Sequence, residues 1–386
     1  MVSTGHREIA FGRPMIGDGE KAAAAEALSS PQLVHGSRTH DFEAAFATML
    51  GHGAYATAVS SCTAGLHLSY MHLGIGPGDE VIVPAETHVA TAHAVEVTGA
   101  RPIFVDCDDS GNIDLDAIES RVTDRTKAIC VVHFSGLPAD VVRVNELARP
   151  RGLSVVEDCA LAVGASLDGT PCGLLGDMGT FSFYPVKHMT TGEGGMVVSR
   201  DPAIIASIAS LKAFGYDRSP AARSIPGVYD IAKLGLNYRM SEIAAAIGLV
   251  QVTRIEEFAN KRDVNTASLR RALAGGEGFR LLPDGDGRRK HANYCLVSVL
   301  DESLISSRND VVMKMKADGV GTSVYYPVPL PLSHYYSHRY GYAPSEFPNA
   351  LRISHGSIAL PVGPHLDDDD MEIIAASFIR AVRGVS

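Results

Sequence analysis

The chain has 386 residues, of which 46% are hydrophobic and 20% are charged, and its formal net charge is −10. This length allows a large buried core and is typical of two domains rather than one. The acidic balance without clustered cations argues against nucleic acid as the main partner, and no apolar stretch approaches the about 20 residues needed to cross a membrane.

Short apolar runs alternate with helical patterns through the first two-thirds of the chain. The runs predicted as strands are residues 80–84, 102–106, 128–133, 153–158, 180–184 and 195–199. The helical patterns between them are residues 63–74, 88–98, 139–150 and 202–213. Nearly continuous apolar strands that alternate with helices predict an α/β fold, with a mostly parallel central sheet and helices on both faces.

The last third of the chain has a different organisation. Residues 240–274 have a helical pattern, which predicts one long helix or two in line between two domains. The elements predicted beyond it are a strand at 293–300, a helix at 309–318, a strand at 322–326 and a helix at 367–383. We therefore predict a large domain of residues 1–255, with an N-terminal arm, and a smaller C-terminal α+β domain of residues 256–386.

The six cysteines are scattered and form no C-x-x-C pair, which is typical of small core residues in a reducing compartment. We therefore predict a cytoplasmic protein. Residues 1–14 also lack the apolar core of a secretory signal. The fifteen histidines show no metal-ligand spacing such as H-E-x-x-H, and no metal site is predicted.

Lys187 lies between an apolar strand and the glycine-rich turn 192–195. A lysine at the mouth of a sheet is costly to bury as a cation, but its amine becomes useful if it binds an aldehyde cofactor. The glycines would let the backbone approach a bulky ring closely. Taken alone, a lysine near glycines is more often a surface residue beside a β-turn.

Two further segments favour the cofactor interpretation. Asp158 ends an apolar strand at the sheet edge where α/β folds bind ligands. A buried carboxylate there needs a cationic partner, and a protonated pyridine nitrogen is one, although a carboxylate can also cap the next turn. Thr63, Ala64 and Gly65 begin a helix whose free N–H groups suit a phosphate, although small residues start many helices.

Four motifs together resemble the DegT/DnrJ/EryC1/StrS family of sugar aminotransferases, from about Pro14 to the C-terminus. They are Ser-x-Thr-Ala at the helix start, Glu-Asp158-x-Ala, Phe-Ser-Phe-Tyr-x-x-Lys187 followed by Gly-Glu-Gly-Gly, and Gly235-Leu-Asn237-Tyr-Arg239-Met-Ser-Glu. The resemblance implies a fold-type-I transferase that depends on pyridoxal 5'-phosphate (PLP) and works as a homodimer.

The resemblance also implies roles for the motif residues. Lys187 binds PLP as an imine, Asp158 pairs with the pyridine nitrogen, and His88 stacks on the cofactor ring. The residues that hold the phosphate are Thr63, Ala64, the Ser182 hydroxyl and, from the partner subunit, Asn237.

Substrate contacts are implied less directly. Arg239 matches a position near the substrate. The segment that contains Tyr325 and Tyr326 resembles the one that lines the active-site mouth, although both tyrosines also suit a half-buried strand. One position departs from the family, because Leu161 stands where a glutamine or histidine usually touches the phenolic oxygen of PLP.

The function implied is transamination, in which glutamate converts PLP to pyridoxamine phosphate and this form aminates a keto sugar that is linked to a nucleotide. Two alternatives remain: a PLP-dependent sugar dehydratase and a non-catalytic regulatory protein on the same scaffold. Some related dehydratases carry histidine at the lysine position, so Lys187 favours the aminotransferase. A nicotinamide-dependent dehydrogenase is excluded, because no G-x-G-x-x-G follows the first strand.

Overall fold

The computed structural model describes residues 8–217, 224–225 and 227–385. Within these ranges the strands are β1 (Tyr55–Val59), β2 (Glu80–Pro84), β3 (Arg101–Val105), β4 (Thr126–Val132), β5 (Ser154–Asp158), β6 (Ser166–Leu167), β7 (Thr170–Pro171), β8 (Met178–Ser182), β9 (Gly195–Ser199), β10 (Phe279–Leu281), β11 (Arg289–Lys290), β12 (Leu296–Leu300) and β13 (Ser357–Leu360). Residues 1–7 of the predicted N-terminal arm lie outside the described residues.

The helices of the first half of the chain are α1 (Asp18–Leu28), α2 (Ser37–Leu50), α3 (Cys62–His72), α4 (Val89–Glu96), α5 (Leu115–Ile118), α6 (Val141–Ala148) and α7 (Pro202–Leu211). Those of the second half are α8 (Glu242–Thr253), α9 (Ile255–Leu273), α10 (Arg308–Ala317), α11 (His334–Tyr340), α12 (Pro348–Gly356) and α13 (Asp368–Arg383). The helical pattern predicted over 240–274 is thus two successive helices, α8 and α9.

A seven-stranded sheet with the order β1-β9-β8-β5-β4-β2-β3 forms the centre of the molecule. The pairs β3–β2, β2–β4, β4–β5 and β5–β8 are parallel, whereas β9 runs antiparallel to both β8 and β1. The carboxyl ends of β5 and β8 therefore meet at the same edge of the sheet.

Successive residues of the central strands pack into separate apolar layers. Val81 and Val83 of β2 join a cluster with side chains of α3 and α4, whereas Ile82 between them joins a cluster with side chains of α6. A parallel strand that is buried on both faces must be apolar throughout, which explains the continuous runs. The predicted α/β fold with helices on both faces is confirmed.

The C-terminal part contains a second sheet of three antiparallel strands, β10-β12-β13. Its core joins side chains of α9, α10 and α13, including Leu269 and Phe378. The short strand β11 pairs instead with β6, in the first half of the chain. The division of the chain after residue 255 remains a prediction.

The strand predicted at 322–326 is wrong. In this segment only Ser323 forms a β-bridge, with Ala359 of β13. The N–H of Tyr326 donates instead to a carboxylate oxygen of Glu86, at 2.8 Å, and Pro327 has no N–H to offer a strand. The segment therefore leaves the second sheet and lies against the loop that follows β2.

All six cysteines are buried and free, as their apolar sequence contexts predict. No helix in the described ranges combines the length and the apolar character needed to cross a membrane.

Candidate active site

A cavity of about 440 Å³ lies at the carboxyl ends of β5 and β8, beside the starts of α3 and α4. The predicted site residues that line it are Thr63, His88, Asp158, Ser182, Lys187, Tyr325 and Tyr326. Three others, Ala64, Asn237 and Arg239, are not among its lining residues. Because this edge of the sheet is where α/β folds bind ligands, the cavity is the candidate active site.

Lys187 lies in the turn after β8, and its half-buried side chain reaches the cavity. Its Nζ atom is 5.1 Å from the centre of the Tyr294 ring, and no carboxylate of the described residues forms an ion pair with it. Burial lowers the pKa of Lys187, and the negative charge of Asp158 partly offsets this effect. A lower pKa enlarges the fraction of neutral amine, which is the nucleophilic form.

Asp158 is 4% exposed and has only neutral hydrogen-bond donors around it among the described residues. The Thr91 hydroxyl donates to Oδ2 at 2.7 Å, and the N–H of Ala160 donates to Oδ1 at 3.0 Å. The Cys62 thiol lies 3.8 Å from Oδ1. A buried carboxylate that is not ion-paired is costly, so this site is suited to a ligand that brings a positive charge.

The start of α3 forms a cradle of N–H groups. The Ser61 side chain caps the helix by accepting the N–H of Ala64 at 3.1 Å. The N–H groups of Cys62 and Thr63 have no partner among the described residues. A Cβ on Gly195 would lie 2.7 Å from the backbone nitrogen of Cys62, so glycine lets β9 pack directly against this helix start. Free N–H groups at a helix start attract a phosphate.

Two further predicted residues border the cavity. Ser182 is the last residue of β8, and its hydroxyl oxygen accepts the N–H of Tyr184 at 3.4 Å. His88 precedes α4, and its Nδ1 accepts the N–H of Ala90 at 3.2 Å. Burial lowers the pKa of His88, which favours an uncharged ring beside the cavity.

Tyrosines form the wall contributed by the C-terminal part. The hydroxyl groups of Tyr294 and Tyr325 are 3.1 Å apart, and the Tyr326 ring centre is 6.0 Å from that of His88. Sequence reasoning did not identify Tyr294. It lies just before β12, where an aromatic residue gives no signal that its ring faces a lysine more than a hundred residues away. Thr91 and Cys62, which contact Asp158, were missed for the same reason.

Leu161, which stands where the family usually has glutamine or histidine, is buried and lines the cavity. An apolar side chain therefore forms this part of the cavity wall. A side chain that cannot form hydrogen bonds there cannot donate to the phenolic oxygen of a bound cofactor.

Asn237 and Arg239 lie away from this cavity. Asn237 is exposed and forms a β-bridge with Ala213. Arg239 borders a separate cavity of about 690 Å³, and its guanidinium carbon is 5.0 Å from the centre of the Phe214 ring. Within one chain, therefore, these two predicted residues are not brought to Lys187.

His133, Glu157 and Cys159 form a buried cluster at the carboxyl ends of β4 and β5. Their potential metal-ligand atoms lie within 4.8 Å of one another. His133 Nδ1 accepts the N–H of Ala139, so Nε2 carries the hydrogen and donates to Glu157 at 2.9 Å. Backbone N–H groups occupy both Glu157 oxygens. The hydrogen bonds account for the histidine and the carboxylate as structural groups.

The sequence matches the model of the DegT/DnrJ/EryC1/StrS aminotransferase family over residues 14–379. It is 33% identical over 378 residues to the dTDP-4-dehydro-2,3,6-trideoxy-D-glucose 4-aminotransferase of Saccharopolyspora spinosa, and the match covers 96% of each chain. The fold is similar to that of the aminotransferase TlmJ from Streptoalloteichus hindustanus, with a TM-score of 0.88, 34% identity and coverage of 97% of this chain and 99% of that one.

It is also similar to the protein Spr1654 of Streptococcus pneumoniae, which is known in a PLP-form and a PMP-form. For the PLP-form the TM-score is 0.91 and the identity 26%, and the match covers 98% of this chain and all of that one.

Proposed function

Since the chain belongs to the DegT/DnrJ/EryC1/StrS aminotransferase family, we propose that it transfers the amino group of glutamate to a keto sugar that is linked to a nucleotide. That it is a sugar aminotransferase follows from the family and the solved relatives. The relative that acts on a dTDP-linked sugar supports the nucleotide. The observation that carries the proposal is that one cavity brings together a lysine with a lowered pKa, a buried carboxylate without an ion-pair partner and a helix start with free N–H groups.

The residues of this cavity fit PLP. Lys187 is placed to bind it covalently, and the carboxylate of Asp158 is suited to a pyridinium nitrogen. The N–H groups of Cys62 and Thr63 and the Ser182 hydroxyl would hold the phosphate. When bound, PLP supplies a carbonyl carbon that takes up an amino group and a ring that withdraws electrons from it. Cycling through pyridoxamine phosphate is part of this proposal, supported by the two forms of the Streptococcus protein.

Different side chains of the cavity have different roles in the proposed reaction. The Lys187 amine would take a proton from the substrate carbon and deliver it to the carbon on the other side of the transferred nitrogen, because the amine lies in the cavity and its lowered pKa favours the neutral, proton-accepting form. Asp158 keeps a negative charge beside the ring nitrogen. The uncharged ring of His88 and the wall of Tyr325 and Tyr326 orient the reactants and exclude water.

The donor and acceptor can be tested together. Purified protein loaded with PLP and glutamate is offered a panel of keto sugars, free and nucleotide-linked, and 2-oxoglutarate and the sugar products are measured by mass. We expect equal amounts of 2-oxoglutarate and of a sugar in which one oxygen has been replaced by nitrogen. A product that has only lost oxygen would instead indicate a dehydratase, and consumption of no amino donor would contradict the proposal.

The proposal includes a homodimer in the cytoplasm, in which Asn237 reaches the phosphate site of the partner. The cytoplasmic location is supported by the cysteines, which are free and buried, as is usual in a reducing compartment. Apolar side chains close to Asn237 in the sequence are widely exposed in the single chain: Ile225, Val228, Ile231 and Leu234, at 61%, 60%, 63% and 81%. Exposed apolar groups that lie close in sequence to the predicted partner contact suit burial against a second copy.

Mixed dimers test whether Asn237 acts across the interface. Asn237→Ala is expected to weaken PLP binding on the order of 10- to 100-fold, the size of a lost hydrogen bond to a charged group. Hybrids of Asn237→Ala with Lys187→Ala subunits would contain one intact site. At a PLP concentration too low to load the Asn237→Ala dimer, we expect these hybrids to have activity that neither parent dimer shows. Hybrids of Asp158→Asn with Lys187→Ala are the matched control, because both residues line one cavity and no intact site can form. Equal recovery in the two hybrids would contradict the partner role.

A further inference from the structure

Glu86 is a buried acid that the proposed reaction does not use. It lies in the loop between β2 and α4, two residues before His88, and it is 0% exposed. The Tyr326 N–H donates to its Oε1 at 2.8 Å, and the Ser354 hydroxyl lies 2.7 Å from its Oε2. Among the described residues no lysine, arginine or histidine forms an ion pair with it. Its carboxyl group therefore joins the loop that carries His88 to two segments of the C-terminal part.

The surroundings of Glu86 favour its protonated form. The pKa of Glu86 is raised to about 8, mainly by burial and to a smaller extent by the negative charge of Asp106. The hydrogen bonds from Ser354 and from the Tyr326 N–H act in the opposite direction. The titratable groups that face it are Asp106 and Cys107, which follow β3, and the Tyr326 phenol. From α12, the group that touches it is the Ser354 hydroxyl.

Tyr326 connects this acid to the cavity. Its backbone is bound to Glu86, and its ring lines the candidate active site opposite His88, with the ring of Phe134 6.2 Å away. The preceding residues touch the second sheet through the bridge at Ser323 and through the Ser357 hydroxyl of β13, which donates to the carbonyl oxygen of Tyr325 at 3.2 Å. The hydrogen bond to Glu86 is the contact that joins the Tyr326 backbone itself to the loop that carries His88.

We propose that protonated Glu86 is a positioning residue that holds Tyr326 against the substrate side of the cavity, and that binding of the keto sugar weakens when Glu86 ionises. The physical reason is hydration. An ionised carboxylate without a cation is costly in an apolar site, and water can reach it only if the packing around Tyr326 and Ser354 opens. This inference rests on the proposed function, because it assigns the keto sugar to that wall.

The kinetic test compares the wild-type enzyme with Glu86→Gln on either side of pH 8. The amide oxygen of the introduced glutamine can accept the Tyr326 N–H and its NH₂ group can donate to Ser354, so this variant imitates the protonated acid at every pH. We expect the KM of the wild type for the keto sugar to rise on the order of tenfold above that pH, while the KM of the variant stays low. The half-reaction with glutamate is expected to change less. Equal pH profiles of KM would overturn the proposal.

Two neighbours shift the midpoint of the KM rise in opposite directions. Ser354→Ala removes a hydrogen bond that favours the ionised form, so the midpoint is expected to move to higher pH. Asp106→Asn removes a negative charge that opposes ionisation, so the midpoint is expected to move to lower pH. Glu80→Gln is the matched control, since Glu80 is buried at the other end of β2 and bound to Arg125. Midpoints that move together, or not at all, would contradict the role of Glu86.

Hydrogen exchange gives a readout that does not depend on activity. At a pH above 8, peptides that cover residues 322–328 are expected to exchange faster in the wild type than in Glu86→Gln, and at pH 7 the two proteins are expected to match. The proteins are compared at the same pH, because the exchange chemistry itself depends on pH. If no keto sugar is turned over, the proposed function fails, while this comparison still decides whether Glu86 holds Tyr326. Identical exchange at both pH values would overturn the inference.

Discussion

Replacing Lys187 with alanine is expected to abolish covalent binding of PLP and to lower the rate of transamination by about 10⁴-fold or more. Two functions are lost together, because the same amine binds the cofactor and moves the proton. General acid–base catalysis alone contributes up to about 10⁴-fold in enzymes. The variant is expected to fold. Among the described residues Nζ of Lys187 has no ion-pair partner, so the change leaves no charged group unpaired.

The measurement is the visible absorption of protein-bound PLP, together with the protein mass after reduction with borohydride. The wild type is expected to gain the mass of the cofactor, whereas Lys187→Ala and the charge-preserving Lys187→Arg are expected to gain none. Lys127→Ala, which changes an exposed lysine of β4, is the control and is expected to behave as the wild type does. Small added amines are expected to restore some activity to Lys187→Ala by replacing the lost base. Reduction that still attaches the cofactor to Lys187→Ala would identify another lysine.

The central strands could be predicted because their burial on both faces forces long apolar runs, as in β2 and β4. Short elements gave weaker signals. The strand β1 consists of Tyr55 and four small residues, and it was not predicted. The segment 322–326 is rich in β-branched and aromatic residues, as strands are. Its backbone nevertheless makes another tertiary contact, because the Tyr326 N–H donates to Glu86 and not to a sheet partner. Such a competition depends on a residue 240 positions away, and no local pattern contains it.

The residues of the candidate site likewise include some that local patterns predict and some that only tertiary contacts bring there. Asp158 ends one predicted strand, and Ser182 and Lys187 lie within and just after another, so their meeting at one sheet edge follows from the parallel topology. Tyr294 faces Lys187 because its part of the chain is fixed elsewhere: the guanidinium of Arg262 in α9 donates to the carbonyl oxygens of Asn293 and Tyr294. Asn237 and Arg239 carry a family motif but lie outside the cavity of their own chain, and their predicted roles depend on a second subunit.

Replacing Asp158 with asparagine is expected to lower both half-reactions by about 10²- to 10³-fold, the usual effect of removing one group that stabilises charge in a transition state. Asparagine keeps the shape of the side chain and can still accept the Ala160 N–H, but it carries no negative charge. The pyridine nitrogen would then lose the partner that favours its protonated form, and the ring would withdraw electrons less strongly. Because the ring serves both half-reactions, the two rates are expected to fall together. A loss confined to one of them would contradict this role.

The same substitution has a second expected effect with a definite sign. The negative charge of Asp158 raises the pKa of Lys187 against the lowering caused by burial, so its removal lowers the pKa of Lys187 further. The amine of the cofactor-free protein is then neutral at lower pH, and its reaction with PLP is expected to begin at lower pH in Asp158→Asn than in the wild type. Thr91→Val is the matched control, because it removes the hydroxyl bound to Oδ2 and leaves the charge in place. A pH profile of PLP binding that shifts equally in both variants would show that the hydrogen bond, and not the charge, sets the state of Lys187.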